Sequence, residues 1–308
     1  MKIETVYTMK QPLSHIGESE STVSFLNTIR IAVDGKVEEV FALTGNSIRG
    51  TLRDCAARHL LDTLGARVGK KEFNILFSGG NISGVMVTDI DQAKKYRRLL
   101  PMVSIFGAGV GNQILAGKIT QGFALPVCKE TNAIIPKMKK IEEGLRKTSW
   151  KSMTGTISFT RFDDSKNTNY QDYLQKGDEE TRDGQKEKMA STQMRYEVEY
   201  LVPGTQLYHA MNLCTEMGNE FGAFVAALEY FSDSPFLGGM GGKGFGLCEA
   251  EFFMDGEYFC RIENGKMEIC NEGKESLDKY NRFLAENAEE IIEFLGAVKH
   301  GEENDRAV

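Results

Sequence analysis

Apolar and polar positions alternate along residues 2–10 and again along 23–33, the period-two pattern of strands with one buried face. Val33-Asp34-Gly35-Lys36 interrupts the second run, and Asp-Gly between two such runs predicts a two-residue hairpin turn that returns into a strand over 37–43. The period then lengthens. From 46 to 64, Leu52, Cys55, Ala56, His59, Leu60 and Leu64 recur at helical spacing, and Gly65 follows as a stop. Residues 73–87 predict a turn and a short strand around Ser78-Gly79-Gly80. Residues 89–100 predict a short helix stopped by Pro101, and 115–127 a strand. Alternation returns over 194–201 and runs into Val202-Pro203-Gly204. Phe221, Phe224, Val225, Leu228 and Phe231 mark an amphipathic helix over 216–231. Strands follow over 247–254 and 258–263, then an acidic helix over 274–300. No solenoid-type repeat is visible.

A strand–helix–strand unit early and another late predict an α+β fold, a ferredoxin-like, RRM-like sheet carrying insertions. Residues 137–195 break the pattern. Within them 161–193 are polar and charged, with few core residues besides Phe162, Tyr170, Tyr173 and Leu174. An insertion of this kind is expected to be functional or disordered, and its tyrosines have the chemistry to stack on bases.

Composition narrows the class. The chain has 308 residues, 41% of them hydrophobic, enough for a sizeable core. The first ten residues lack a signal-peptide core, and no apolar run approaches the roughly 20 residues of a membrane helix, so a cytoplasmic protein without membrane contact is expected. Six cysteines are scattered without a Cys-x-x-Cys pair, which argues against a zinc site or a disulfide scaffold and for reduced thiols. The net charge of −7 is unevenly spread: residues 271–308 hold ten acidic and five basic side chains, so the remainder is close to neutral. Such a body can still present a basic groove.

The chemistry concentrates in two segments. Leu43-Thr44-Gly45-Asn46-Ser47-Ile48-Arg49-Gly50-Thr51-Leu52-Arg53 reads as a turn opening a helix, with Thr44, Asn46 and Ser47 as N-cap types and Arg49 and Arg53 on one face. Free N–H groups beside arginines suit phosphate. Far downstream, Phe236-Leu237-Gly238-Gly239-Met240-Gly241-Gly242-Lys243-Gly244-Phe245-Gly246 lets backbone approach a ligand. It is not a P-loop: Leu237 stands where the first glycine belongs, and Gly244 where Ser or Thr should follow Lys243. Gly107-Ala108-Gly109-Val110-Gly111 follows a helix and Pro101 and so fails as a dinucleotide fingerprint. The basic runs 94–98 and 137–140 read first as solvated faces. Four dispersed histidines give no catalytic arrangement, and nothing points to a metal or cofactor.

The Gly-Asn-Ser-Ile-Arg-Gly helix start after an N-terminal hairpin, the late glycine loop, Leu13-Ser14-His15-Ile16-Gly17 and Ile105-Phe106-Gly107 together resemble the RAMP superfamily of CRISPR-associated proteins. The likeness spans residues 1–255 and is nearest to the repeated backbone subunit of class 1 effector complexes, in its type IV form. The resemblance implies an RRM-like palm with finger and thumb extensions: a domain over 1–255, a thumb-like insertion at about 148–193, and a C-terminal strand and acidic helix over 256–308 packed on it. It implies a non-enzymatic protein that polymerises head to tail along a CRISPR guide RNA. RNA contacts would fall on His15, Asn46, Ser47, Arg49, Arg53, Gly107, Gln113, Arg161, Gly242, Lys243 and Gly244. Implied partners are the guide RNA, a complementary target nucleic acid, further copies of the chain, and other effector subunits such as an end-cap RAMP subunit, a large or small subunit or a helicase. In type III relatives a loop aspartate upstream of the helix start cleaves target RNA. Asp34 is the nearest counterpart, one residue out of register, and its Asp-Gly turn already explains it. A metal-dependent nuclease using Asp34 is the alternative.

Overall fold

The computed structural model describes residues 1–80, 90–161 and 194–299. Its strands are β1 (Lys2–Met9), β2 (Ile16–Glu20), β3 (Val23–Leu26), β4 (Thr28–Val33), β5 (Lys36–Phe41), β6 (Ala66–Arg67), β7 (Ala108–Val110), β8 (Gln113–Leu115), β9 (Ile119–Gln121), β10 (Leu125–Pro126), β11 (Thr154–Arg161), β12 (Met194–Leu201), β13 (Gln206–Leu213), β14 (Cys248–Met254), β15 (Glu257–Glu263), β16 (Lys266–Ile269) and β17 (Val298–Lys299). The helices are α1 (Gly45–Leu64), α2 (Lys70–Ser78), α3 (Ile90–Leu99), α4 (Pro101–Phe106), α5 (Asn219–Asp233), α6 (Asn271–Glu286) and α7 (Ala288–Leu295).

The palm is an antiparallel sheet in which β1 lies between β13 and β14. The short strands β9 and β10 share the outer edge of β13, while β15 and β16 continue beyond β14. Helix α1 connects the first palm strand to the β9–β10 edge, and α5 connects β13 to β14. Two split strand–helix–strand units thus interlock, the ferredoxin-like order. Ile3, Tyr7 and Met9 of β1, Leu207, Met211 and Leu213 of β13, and Phe252 of β14 form one buried face. The apolar stripe of α1 and the fully buried Phe221, Phe224 and Leu228 of α5 close over it. Helices α6 and α7 add Leu277, Tyr280, Leu284, Ile291 and Leu295 to the same core.

The opposite face of the palm is covered in part by residues 127–147. Val6, Val127, Ile135 and Ile141 form a second cluster there. Arg146, 5% exposed, staples this cover by donating to the carbonyls of Ile135 and Pro136 and to Asn132 Oδ1. A smaller sheet, β11–β12–β3–β2, stands beside the palm, with β12 parallel to β3. The β11–β12 pair leads into the expected insertion, of which residues 162–193 lie outside the described residues.

Several local expectations need correction. Residues 70–78 are a helix, which Ser78-Gly79-Gly80 ends in the expected turn, with Gly79 left-handed at φ 77°; the rest of the 73–87 expectation, its short strand included, falls on 81–87 and lies outside the described residues. The run 23–33 is two strands that divide at Asn27, whose N–H donates to His15 O and whose amide donates to Ala42 O. The run 115–127 breaks into the pieces at 113–115, 119–121 and 125–126. Pro101 does not only stop α3; it also opens α4 at its first turn. The acidic helix is two helices that meet at Asn287, which caps α7. Asp34 and Gly35 both have positive φ, at 50° and 74°, between the paired Val33 and Lys36, as a two-residue hairpin turn requires. Among the described residues no helix is long and apolar enough to cross a membrane.

Candidate nucleic-acid interface

Helix α1 begins where the chain leaves β5. Leu43 is tied to Ala124 by reciprocal backbone hydrogen bonds of 3.0 and 2.9 Å. Thr44 is the N-cap, its Oγ1 accepting from Ser47 N at 3.3 Å. Its own N–H donates to His15 Nε2 at 3.4 Å, which leaves the ring proton on Nδ1. Half-burial lowers the His15 pKa, so the ring is neutral near pH 7 and serves as an acceptor beneath the cap. Asn46 is exposed and Ser47 half-buried at the mouth of the helix. No acidic residue occupies the first turn, so nothing offsets the positive end of the helix.

One turn on, Arg49 and Arg53 face a cleft of about 290 Å³ walled by Ser78–Gly80, Phe106–Gly109 and Ile114–Gly117. The walls are backbone because side chains do not fit. A Cβ on Gly80 would lie 2.0 Å from Gly109 O, and one on Gly107, at φ 71°, 2.6 Å from Leu115 O. Among the described residues no carboxylate lines this cleft. Arg53 is only 8% exposed. It donates to Phe106 O at 2.6 Å and Gly107 O at 3.3 Å, while its Nε has no partner. Burial first, then the neighbouring Arg49, lower its pKa. Arg49 Nε is likewise buried without a hydrogen-bond partner. Arg53 thus positions the 106–107 carbonyls and is a packed group, whereas Arg49 leaves its charge to the cleft. Gln113 flanks the cleft through β8, its Oε1 buried without a partner.

The glycine loop lies on the other side of the N-terminal segment. Gly239 N donates to Ser14 O and Gly246 N to Pro12 O, each at 2.8 Å, so residues 12–15 run between the loop and the start of α1. At the loop's tip a single 3-10 turn, Gly241–Lys243, is bracketed by Met240 at φ 65° and Gly244 at φ 83°. Lys243 does not reach the arginine cleft. Its ammonium donates to the Tyr196 hydroxyl and sits 5.2 Å from the Phe159 ring centroid and 4.7 Å from that of Tyr196. Buried Phe245 anchors the loop against Phe159 and Tyr200. Gly242 is exposed, with open space around it.

The expected contact residues therefore fall into separate places. Arg49, Arg53 and Gly107 share one cleft, and His15 supports its approach. Lys243, between Gly242 and Gly244, belongs to the small sheet. Arg161 ends β11, opposite Met194, and its side chain lies outside the described residues. Asp34 is exposed at its hairpin tip, and among the described residues no group of three or more His, Cys, Asp or Glu is placed to hold a metal ion. The basic runs are largely paired within the chain: Arg98 with Glu290, Lys94 with Asp91, Lys140 with Glu251, and Arg97 with Ala116 O. The Ser78–Gly80 and Ala116–Gly117 walls and the Phe159–Tyr196 pair were not among the expected contacts. Only the Ser78-Gly79-Gly80 turn left a sequence signal.

No family model and no curated protein matches this chain. Its fold is similar to that of a solved chain described as "Type IV-B CRISPR Complex", with a TM-score of 0.57 and 16% sequence identity, over 83% of this chain and 91% of that one.

Proposed function

We propose that this chain is a subunit of a CRISPR effector complex of type IV character that holds guide RNA by its sugar–phosphate backbone and performs no catalysis itself. The observation that carries the reading is Arg49: a guanidinium with no acid partner among the described residues, facing a glycine-walled cleft that none of their carboxylates lines, beside an uncompensated helix N-terminus. The palm architecture shared with the solved complex chain supports it. Contacts to phosphate and sugar position a strand without reading its sequence and leave base edges free to pair with a target. In this reading the β11–β12 extension is the base of the thumb over 148–193, residues 256–308 close the same domain, and further copies and other effector subunits complete the particle. Asp34 serves its turn.

The test is co-expression with a repeat-derived guide. Wild type should retain RNA through purification, and Arg49→Ala should lose most of it at unchanged melting temperature. Retention of equal RNA by the variant, or of none by wild type, removes the reading.

A further inference from the structure

Most of the wall that faces Arg49 across the cleft is one lobe of chain, residues 105–117, and both feet of that lobe rest on one carboxylate. Glu220 lies in the first turn of α5. Its Oε1 accepts from Ser104 Oγ at 2.7 Å and from Lys118 Nζ at 2.6 Å, and its Oε2 accepts from Lys118 Nζ at 2.7 Å and from Thr215 Oγ1. Ser104 immediately precedes the lobe and Lys118 immediately follows it. Their backbones also meet, Lys118 N donating to Ser104 O at 3.1 Å. Burial opposes ionisation of Glu220, but donation from Lys118, Ser104 and Thr215 outweighs it and holds the carboxyl below its ordinary pKa, so the group is charged near pH 7. The carboxylate is itself anchored: Phe221, Ala223 and Phe224, which follow it on α5, are fully buried in the palm core.

The lobe needs such an anchor. It is rich in glycine, and its strands β7 and β8 pair over three residues each, so its backbone has little stiffness of its own. Arg53 and Arg97 catch it at the carbonyls of Phe106, Gly107 and Ala116. Glu220 fixes where its two feet stand on α5, through charge-assisted hydrogen bonds, which are about twice as strong as neutral ones. We propose that Glu220 is a positioning residue for RNA: it touches no RNA itself, and holds the 105–117 lobe at the separation from Arg49 that lets the cleft take a strand's sugar–phosphate backbone. The proposal rests on the RNA-holding reading and extends it to a residue that works through the cleft wall. The sign of its effect distinguishes a clamp from a charge. By electrostatics alone, removing a carboxylate and freeing the Lys118 ammonium tightens binding of a polyanion. Loosening the wall weakens it.

A double-mutant cycle on the full chain, read by binding of fluorescein-labelled oligouridine, tests the clamp. Glu220→Gln keeps the shape and removes the charge, and should weaken binding about fivefold. In an Arg49→Ala background the same substitution should cost almost nothing, because the lobe then has no guanidinium to be held against; a general loss of stability would add in both backgrounds. Hydrogen exchange of the free protein gives a readout without RNA: amides of 105–117 should exchange faster in Glu220→Gln, while β1 and β14 keep wild-type protection. If Glu220→Gln does not fold, Ser104→Ala removes one donor at one foot and should act in the same direction. Unchanged or tighter binding by the folded variant, an undiminished penalty in the Arg49→Ala background, or unchanged exchange of the lobe each overturns the clamp. Where Arg49→Ala by itself still weakens binding, the RNA-holding reading survives that result. If Arg49→Ala binds as tightly as wild type, both fall together.

Discussion

At the scale of single residues, two arginines of one helix face separate into different roles. Arg53 donates to two carbonyls across the fold and is nearly buried, so Arg53→Ala should cost about 2 kcal/mol of stability and lower the melting temperature. Arg49→Ala should leave the melt unchanged and act on RNA alone. Equal melting curves for the two variants would show that Arg53 is as free as Arg49. The i, i+4 spacing gave them equal standing because the partners of Arg53 are backbone carbonyls, which carry no residue signature. His209 is a second residue-scale case. It is fully buried in β13, and burial lowers its pKa to about 4 against a smaller opposing effect of the Gly122 backbone. The unfolded chain binds that proton near pH 6.5, so the neutral ring's contribution is complete above about 6.5. It is lost progressively as pH falls toward 4, with a limit of about 3 kcal/mol. Denaturant midpoints should fall less steeply with acidification in His209→Gln than in wild type, and parallel pH profiles would refute the assignment.

At the scale of elements, what could be read depended on whether burial was one-sided. Strand β1, helix α1 and helix α5 bury a single face or stripe, and their patterns predicted them to within a residue or two at most ends. Strand β13 occupies the centre of the palm yet was not read: Leu207, His209 and Met211 are buried on one face while Gln206 is buried and Tyr208 half-buried on the other, and a histidine sits mid-strand. Strand β2 escaped for the opposite reason, being exposed throughout. The arginine cleft is assembled from loops distant in sequence, so its α1 wall, Gly107 and the Ser78–Gly80 turn were visible beforehand as separate pieces, but not their meeting or the 114–117 wall. The glycine loop was visible as a loop, but its docking on Phe159, Tyr196 and Tyr200 was not. Its glycines are now distinguishable. Gly244 needs φ 83°, a region that costs an L-residue roughly 1–2 kcal/mol, whereas Gly242 has ordinary φ and open surroundings. Gly244→Val should therefore disturb the Lys243 turn and RNA loading, and Gly242→Ala should be near neutral. Equal loading by Gly244→Val and wild type would reduce the loop to a connector.

At the scale of the whole molecule, charge and shape bear on assembly. The surplus of acid lies mainly in residues 271–308, so a nearly neutral body carries the arginine cleft. A protein that binds RNA by backbone contacts alone has no sequence to stop it at one site. If copies also meet through two different surfaces, a heterologous contact that does not close propagates along the strand. Each copy then covers the same length of RNA, because that length is set by the protein and not by the guide. Nuclease digestion of the co-purified particle should accordingly give protected fragments that lengthen by a constant step, and the step should be the same for two guides of unrelated sequence. Arg49→Ala should lower the yield of the ladder without changing the step, since it weakens the hold on RNA and leaves the contact between copies untouched. A single protected length at every protein-to-RNA ratio would mean that one copy binds alone, and the repeated-subunit part of the proposal would fall while RNA holding survived.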